Sequence, residues 1–86
     1  MKKLLVVSAV WCPSCLILNK YLKKLNEDID IEITKLDFDL DEDIVEEYNV
    51  GEKLPVVILL DNDKEVSRLI GEKTYDELLN FIRENS

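Results

Sequence analysis

The chain has no histidine, two glycines, two prolines and two cysteines among its 86 residues. Without histidine, a Ser/His or Cys/His catalytic dyad is impossible. The two isolated glycines exclude the Gly-rich loops that cradle phosphate groups. No apolar run approaches the roughly 20 residues that a membrane-spanning helix needs. These absences argue against hydrolytic enzymes, nucleotide-binding proteins and membrane proteins.

The charge balance is acidic, with 19 Asp and Glu residues against 11 Lys and Arg residues and a formal net charge of −8. Nucleic acids and anionic membranes attract basic surfaces, so neither is expected as a partner. The acidity either keeps the protein dissolved or selects partners with basic patches. Asp37 and Asp39 form a carboxylate pair, which we interpret as surface residues at the solvated end of a strand.

Length and composition predict one domain over residues 1–86 with a single small core, because 47% of the residues are apolar and 35% are charged. We expect this domain to be a monomer. The start, two lysines followed by apolar residues 4–7, is similar to an export signal. Its apolar part is too short, and no small-residue cleavage site precedes the cysteines. We therefore expect a cytoplasmic protein, in which a close cysteine pair is more often catalytic or metal-binding than structural.

Hydrophobic periodicity predicts alternating strands and helices. Residues 3–9 lack a helical period and are typical of a buried strand, whereas from Pro13 to about Asn26 apolar residues recur every three or four positions. Later apolar runs predict strands over residues 31–38, 56–60 and 65–70. Two further helices are predicted: one capped by Asp41 with Ile44, Val45 and Tyr48 facing inward, and one with a Thr74/Glu77 capping box and Tyr75, Leu78, Leu79 and Ile82 facing inward.

The predicted order of elements is β-α-β-α-β-β-α, an α/β arrangement. The first β-α-β unit should be parallel, and the last two strands, joined by turn residues 61–64, should form a hairpin. The result is a four-stranded mixed sheet with helices on both faces. Its interior strands should be the first and the third, because these are the most uniformly apolar.

Both cysteines fall in one run, Trp11-Cys12-Pro13-Ser14-Cys15, at the predicted start of the first helix. Two thiols separated by two residues at a helix N-terminus can make and break a disulfide reversibly. Unpaired amides there favour a negatively charged sulfur, so Cys12 is the expected nucleophile. Cys15, one turn further in, is the expected resolving thiol. Pro13 stiffens the turn, and Ser14 leaves room for a hydrogen bond to sulfur.

Together with this motif, the order of elements resembles the thioredoxin fold over essentially the whole chain. The resemblance extends to Trp11 directly before the first cysteine, to residues 35–39 at the end of the second strand, to Leu54-Pro55 and to Ile70-Gly71. It implies a thiol-disulfide oxidoreductase that exchanges a Cys12/Cys15 disulfide with protein disulfides and needs no cofactor. It also implies an upstream electron donor, and it leaves this donor open among a flavoprotein reductase, glutathione and another small thiol protein.

The resemblance further implies a cis Leu54–Pro55 peptide and a shallow substrate groove around Cys12. Trp11, Leu54 and Ile70 would frame this groove, and a substrate strand would pair with the backbone beside Pro55. The groove residues implied by the resemblance are Trp11, Pro13, Ser14, Leu54, Pro55, Ile70 and Gly71.

Several positions depart from the thioredoxin pattern. Val6 stands where thioredoxins bury an aspartate, so the proton acceptor for Cys15 is open. Lys35 is a candidate neighbour for proton transfer by resemblance, and a surface lysine is an equally simple interpretation. The Pro-Ser pair between the cysteines is closer to glutaredoxins, but Lys53 before the Leu-Pro pair and the single Gly71 weaken an assignment of glutathione binding.

Two alternatives to a protein-disulfide reductase stay open from the sequence. One is a glutaredoxin-type electron donor. The other is a non-catalytic module, either a passive redox sensor or a protein that binds metal across a dimer. Cys-x-x-Cys is half of a zinc or iron–sulfur ligand set, and this chain has no third cysteine or histidine to complete it. A metal site within one chain is therefore not expected.

Overall fold

The computed structural model describes residues 2–51 and 53–85. Four strands and three helices follow one another as β1 (Lys2–Ser8), α1 (Pro13–Asp28), β2 (Glu32–Asp37), α2 (Glu42–Glu47), β3 (Val56–Asp61), β4 (Lys64–Ile70) and α3 (Tyr75–Glu84). The predicted order of elements is confirmed. None of the described helices is long and apolar enough to cross a membrane.

The four strands form one sheet in the order β2-β1-β3-β4. Strand β1 runs parallel to β2 and antiparallel to β3, and β3 and β4 form an antiparallel hairpin. Asn62 and Asp63 make the hairpin turn with positive φ angles, a conformation that short polar side chains tolerate. The predicted mixed sheet and its two interior strands are confirmed.

Helices cover both faces of the sheet, because the pleat of β1 sends alternate side chains to opposite sides. Leu4 and Val6 pack toward α1 and α3, whereas Leu5 and Val7 pack toward α2. The helix residues buried on the α1–α3 side are Leu18, Leu22, Leu25, Leu78, Phe81 and Ile82. This two-sided core fixes the end of β1 and the start of α1, where the cysteines lie.

Some details of the predicted helices are wrong. Asp41 stands at the N-cap of α2 but makes no capping hydrogen bond, because its Oδ2 accepts the backbone N–H of Asp37 at 2.8 Å. Ile44 is exposed, since the short helix α2 buries only Val45. In α3 the Thr74/Glu77 capping box is present as predicted, but the buried face also includes Phe81.

Candidate active site

Cys12 occupies the N-cap position of α1, where a side chain can meet the free amides of the first turn. Its Sγ accepts a hydrogen bond from the backbone N–H of Cys15 at 3.3 Å. Pro13 follows within the first turn, where its missing N–H loses no helical hydrogen bond. The Cys12 sulfur therefore lies at the positive end of the helix dipole, beside an amide that favours negative charge.

Cys15 lies deeper in the protein than Cys12, with 1% of its surface exposed against 6% for Cys12. Both residues are free thiols in this structure. Burial, followed by a hydrogen bond with Cys12, raises the pKa of the Cys15 thiol to about 11, against a smaller lowering by the backbone of Ala9. The raised pKa keeps the Cys15 thiol protonated at neutral pH.

Apolar groups enclose the cysteine pair. Ala9 is buried with both cysteines, and Phe38 and Leu54 pack against this cluster from the loops that follow β2 and precede β3. The N–H of Cys12 donates to the carbonyl oxygen of Ala9 at 3.2 Å, which shapes the turn from β1 into α1. The sequence analysis did not identify Ala9 as part of the site. The only indication in the sequence is a small residue three positions before the first cysteine.

Trp11 stands directly before Cys12 and is 58% exposed. Its ring meets Phe38 edge-on, with the two ring centroids 6.3 Å apart. Its indole Nε1–H donates to Oδ2 of Asp39 at 2.7 Å. Asp39 is exposed, as predicted, but it also holds the Trp11 ring in one orientation. The sequence analysis did not identify this role of Asp39. The only indication in the sequence is that an indole N–H usually needs a hydrogen-bond acceptor.

The other side of the site is formed where β3 begins and β4 ends. The Leu54–Pro55 peptide is cis, as the resemblance implies. The carbonyl oxygen of Pro55 accepts the N–H of Gly71 at 2.9 Å, so the end of β4 is held beside this loop. Gly71 has φ +88, a left-handed conformation that costs glycine little. Ile70, next to it, is exposed.

The remaining residues of the predicted groove lie at the start of α1. Pro13 is exposed and Ser14 is half-buried. The hydrogen bond at the Cys12 sulfur comes from the Cys15 amide. The structure thus brings Trp11, the first turn of α1 and Leu54 to one place around the cysteines.

Lys35, the candidate neighbour for proton transfer, lies on β2 and is exposed. It pairs in register with Val6 across β1 and β2, and it lines a groove with Asn19 of α1. Lys35 is not among the groups that shift the pKa of Cys15. Val6 is fully buried, and within the described part of the chain no charged side chain is buried. The structure therefore shows no buried acid or base behind Cys15.

Two grooves of the described surface lie apart from the cysteine pair. Grooves of about 710 and 680 Å³ lie between α1 and β2 and beside Ile29 and Ile82, and no cysteine lines either of them. Among residues 2–51 and 53–85, no three His, Cys, Asp or Glu side chains are grouped to hold a metal ion.

The four-stranded mixed sheet, covered by helices on both faces and carrying a pair of thiols at the N-terminus of α1, has the architecture of a thioredoxin fold. The thioredoxin family model matches residues 1–84. The chain therefore belongs to the thioredoxin family. The predicted family and fold are confirmed.

Two plant relatives and one solved structure show how similar this chain is to known thioredoxins. Thioredoxin H2 of Arabidopsis thaliana is 38% identical over 79 residues, which cover 88% of this chain and 58% of the plant protein. Thioredoxin H-type of Fagopyrum esculentum is 35% identical over 83 residues, which cover 93% of this chain and 70% of the Fagopyrum protein. The structure of a mutant thioredoxin from Halobacterium salinarum matches with a TM-score of 0.91 at 25% identity, covering 98% of this chain and 74% of that one. The chain thus spans less than two thirds of the Arabidopsis relative.

Proposed function

We propose that this chain reduces disulfide bonds in other proteins, with Cys12 as the attacking sulfur and Cys15 as the resolving sulfur. One observation carries the proposal. The Cys12 sulfur caps α1 and accepts the Cys15 amide at 3.3 Å, while Cys15 lies buried behind it. The outer sulfur is placed to hold negative charge, and the inner sulfur lies within one helical turn of it.

The proposed reaction consists of two thiol-disulfide exchanges. The Cys12 thiolate attacks one sulfur of the substrate disulfide, and the other substrate sulfur leaves as a thiolate that takes up a proton. Cys15 then gives up its proton and attacks Sγ of Cys12, which forms the Cys12–Cys15 disulfide and releases the first substrate sulfur. Two electrons and two protons pass from the protein to the substrate.

The proposed substrate groove surrounds Cys12. The exposed Trp11 and Ile70 would contact the substrate, and Leu54 packs directly against the cysteine pair. The loop at Pro55 would offer its backbone to an extended substrate segment. Pro13, Ser14 and Gly71 complete the proposed lining.

Thioredoxins act on protein disulfides and are reduced by thioredoxin reductase. We propose the same cycle for this chain, with protein disulfides as substrates and a flavoprotein reductase or a small thiol protein as the electron donor. The proposed compartment is the cytoplasm. The proposed working unit is one monomeric domain over residues 1–86, without a cofactor.

Insulin reduction tests this proposal. With dithiothreitol as the electron source, the wild-type protein should precipitate insulin chains well above the rate of dithiothreitol alone. Cys12→Ser should fall to that background, because the attacking sulfur is gone. Wild-type turnover at the background rate would overturn the proposal and favour a non-catalytic module.

A further inference from the structure

An apolar patch lies exposed beside the cysteines. Val10 is 82% exposed, Trp11 58% and Leu40 85%. Leu40 directly follows Asp39, whose carboxylate accepts the Trp11 indole N–H at 2.7 Å, so the loop that carries Leu40 is tied to Trp11. Large apolar side chains grouped at the surface next to a reactive centre are typical of a face that a partner covers.

The net charge of the protein is concentrated next to this patch. Residues 37–47 contain seven of the 19 acidic residues and no basic residue, and the rest of the chain has 12 acidic residues against 11 basic ones. The ion pairs Lys3–Asp63 and Arg68–Glu65, found within the described residues, lie outside this segment. The segment therefore accounts for nearly all of the net charge of −8.

Acidic side chains border the apolar patch on the side of α2. Glu42 and Asp43 are exposed in the first turn of this helix. They line a shallow groove of about 270 Å³ together with Leu40. We call the combined surface the docking face and define it by Val10, Trp11, Asp39, Leu40, Glu42 and Asp43.

We propose that the docking face binds the segment of a substrate protein next to its disulfide and selects segments that carry Lys or Arg beside apolar residues. The inference rests on the proposed function and names its substrate class. Apolar contacts near Cys12 supply affinity, whereas the acidic border attracts basic segments and repels acidic ones. The acidity of the chain then serves recognition of partners as well as hydration.

Two synthetic peptides test this selection. Each contains the same single disulfide, and they differ only in carrying Lys or Glu at the flanking positions. The second-order rate constant for oxidation of the pre-reduced protein is measured with each peptide. Each value is divided by the rate constant for dithiothreitol with the same peptide, which removes differences in intrinsic reactivity. At low ionic strength we expect a preference for the Lys peptide of roughly tenfold. Added salt at about 0.5 M should remove most of this preference.

Two variants, each of which removes two negative charges, test whether the preference for the Lys peptide comes from the docking face. Glu42→Gln/Asp43→Asn should lower the preference for the Lys peptide roughly threefold. The matched control Glu27→Gln/Asp30→Asn removes two negative charges at the end of α1 remote from Cys12 and should leave the preference unchanged.

The outcomes separate this inference from the proposed function. Equal corrected rates for the two peptides, a preference that salt does not change, or an equal loss in the control variant would overturn the inference alone. Failure of both peptides to oxidise the wild-type protein would overturn the inference and the proposed function together.

Discussion

The indole Nε1–H of Trp11 donates a 2.7 Å hydrogen bond to Oδ2 of Asp39, which lies 28 residues further along the chain. This bond joins the loop before α1, which leads to Cys12, to the loop between β2 and α2, which carries the acidic segment. Phe38 packs edge-on against Trp11 and also against the cysteine cluster. The loop that leads to Cys12 and the loop that carries part of the proposed docking face are therefore held together by direct contacts.

Asp39→Ala should release the Trp11 ring. Trp11 is the single tryptophan of the chain, so its fluorescence anisotropy reports on this ring directly. We expect the anisotropy to fall, and the free energy of unfolding to drop by at most about 1 kcal/mol because the hydrogen bond is exposed. Asp43→Ala is the control, since it removes a neighbouring charge and leaves the indole bond intact. Equal anisotropy in the two variants contradicts the assigned bond.

The Cys15 thiol should titrate far above the range of a free thiol. Its pKa is raised from the ordinary value of 9.0 to about 11, first by burial. We expect Cys15 to stay buried in Cys12→Ala. In that variant, the ultraviolet absorbance of the thiolate should appear at higher pH in the native protein than in urea. Identical titration curves in the two states contradict the assignment.

The same pKa shift predicts a pH dependence of stability. Because the pKa of Cys15 is higher in the folded than in the unfolded protein, its protonated form contributes stability that is fully present below about pH 9. This contribution is lost as the pH rises toward 11. In urea unfolding, the free energy of unfolding of Cys12→Ala should fall over this pH range. The double variant Cys12→Ala/Cys15→Ala should lack the part of this fall that comes from Cys15. An equal loss in both variants argues against a raised Cys15 pKa.

Gly71→Ala should destabilise the protein through its backbone. Gly71 has φ +88, whereas an added methyl group would meet no atom within 4 Å at either Gly71 or Gly51. The left-handed conformation costs a residue with a Cβ atom about 1 kcal/mol, so the free energy of unfolding should fall by that amount. Gly51→Ala is the matched control and should change it little. Chemical denaturation measures both, and equal effects would show that the φ angle at Gly71 is not the cause.

Local patterns in the sequence predict most of the fold and the position of the reactive pair. Pro13 within the first helical turn and the capping box of Thr74 and Glu77 mark helix starts that the structure confirms. Asp41 shows where such patterns fail. Asp is a common residue type at a helix N-cap, but the backbone N–H of Asp37 donates to the Asp41 carboxylate instead. A sequence pattern does not show which of several nearby N–H groups will bind such a side chain.

Contacts between distant segments account for what the sequence did not predict. The sequence indicates that the Trp11 indole needs an acceptor, but the choice of Asp39 follows from the packing of two loops. Ala9 becomes part of the cysteine cluster because the turn after β1 folds back on Cys12. Lys35 faces a groove beside Asn19, because the parallel register sets it opposite Val6.

The most direct test of the central claim is to trap the product of the first exchange. The claim is that Cys12 attacks the substrate disulfide and that Cys15 reacts only in the second step. Each single-cysteine variant, Cys15→Ser and Cys12→Ser, is mixed with a disulfide-containing protein at pH 7, and the mixed disulfide is quantified over time by mass spectrometry. We predict that Cys15→Ser forms the adduct at least about 100-fold faster, because Cys15 is the more deeply buried of the two cysteines and its thiol stays protonated. Equal rates, or faster capture by Cys12→Ser, would contradict the assignment of roles.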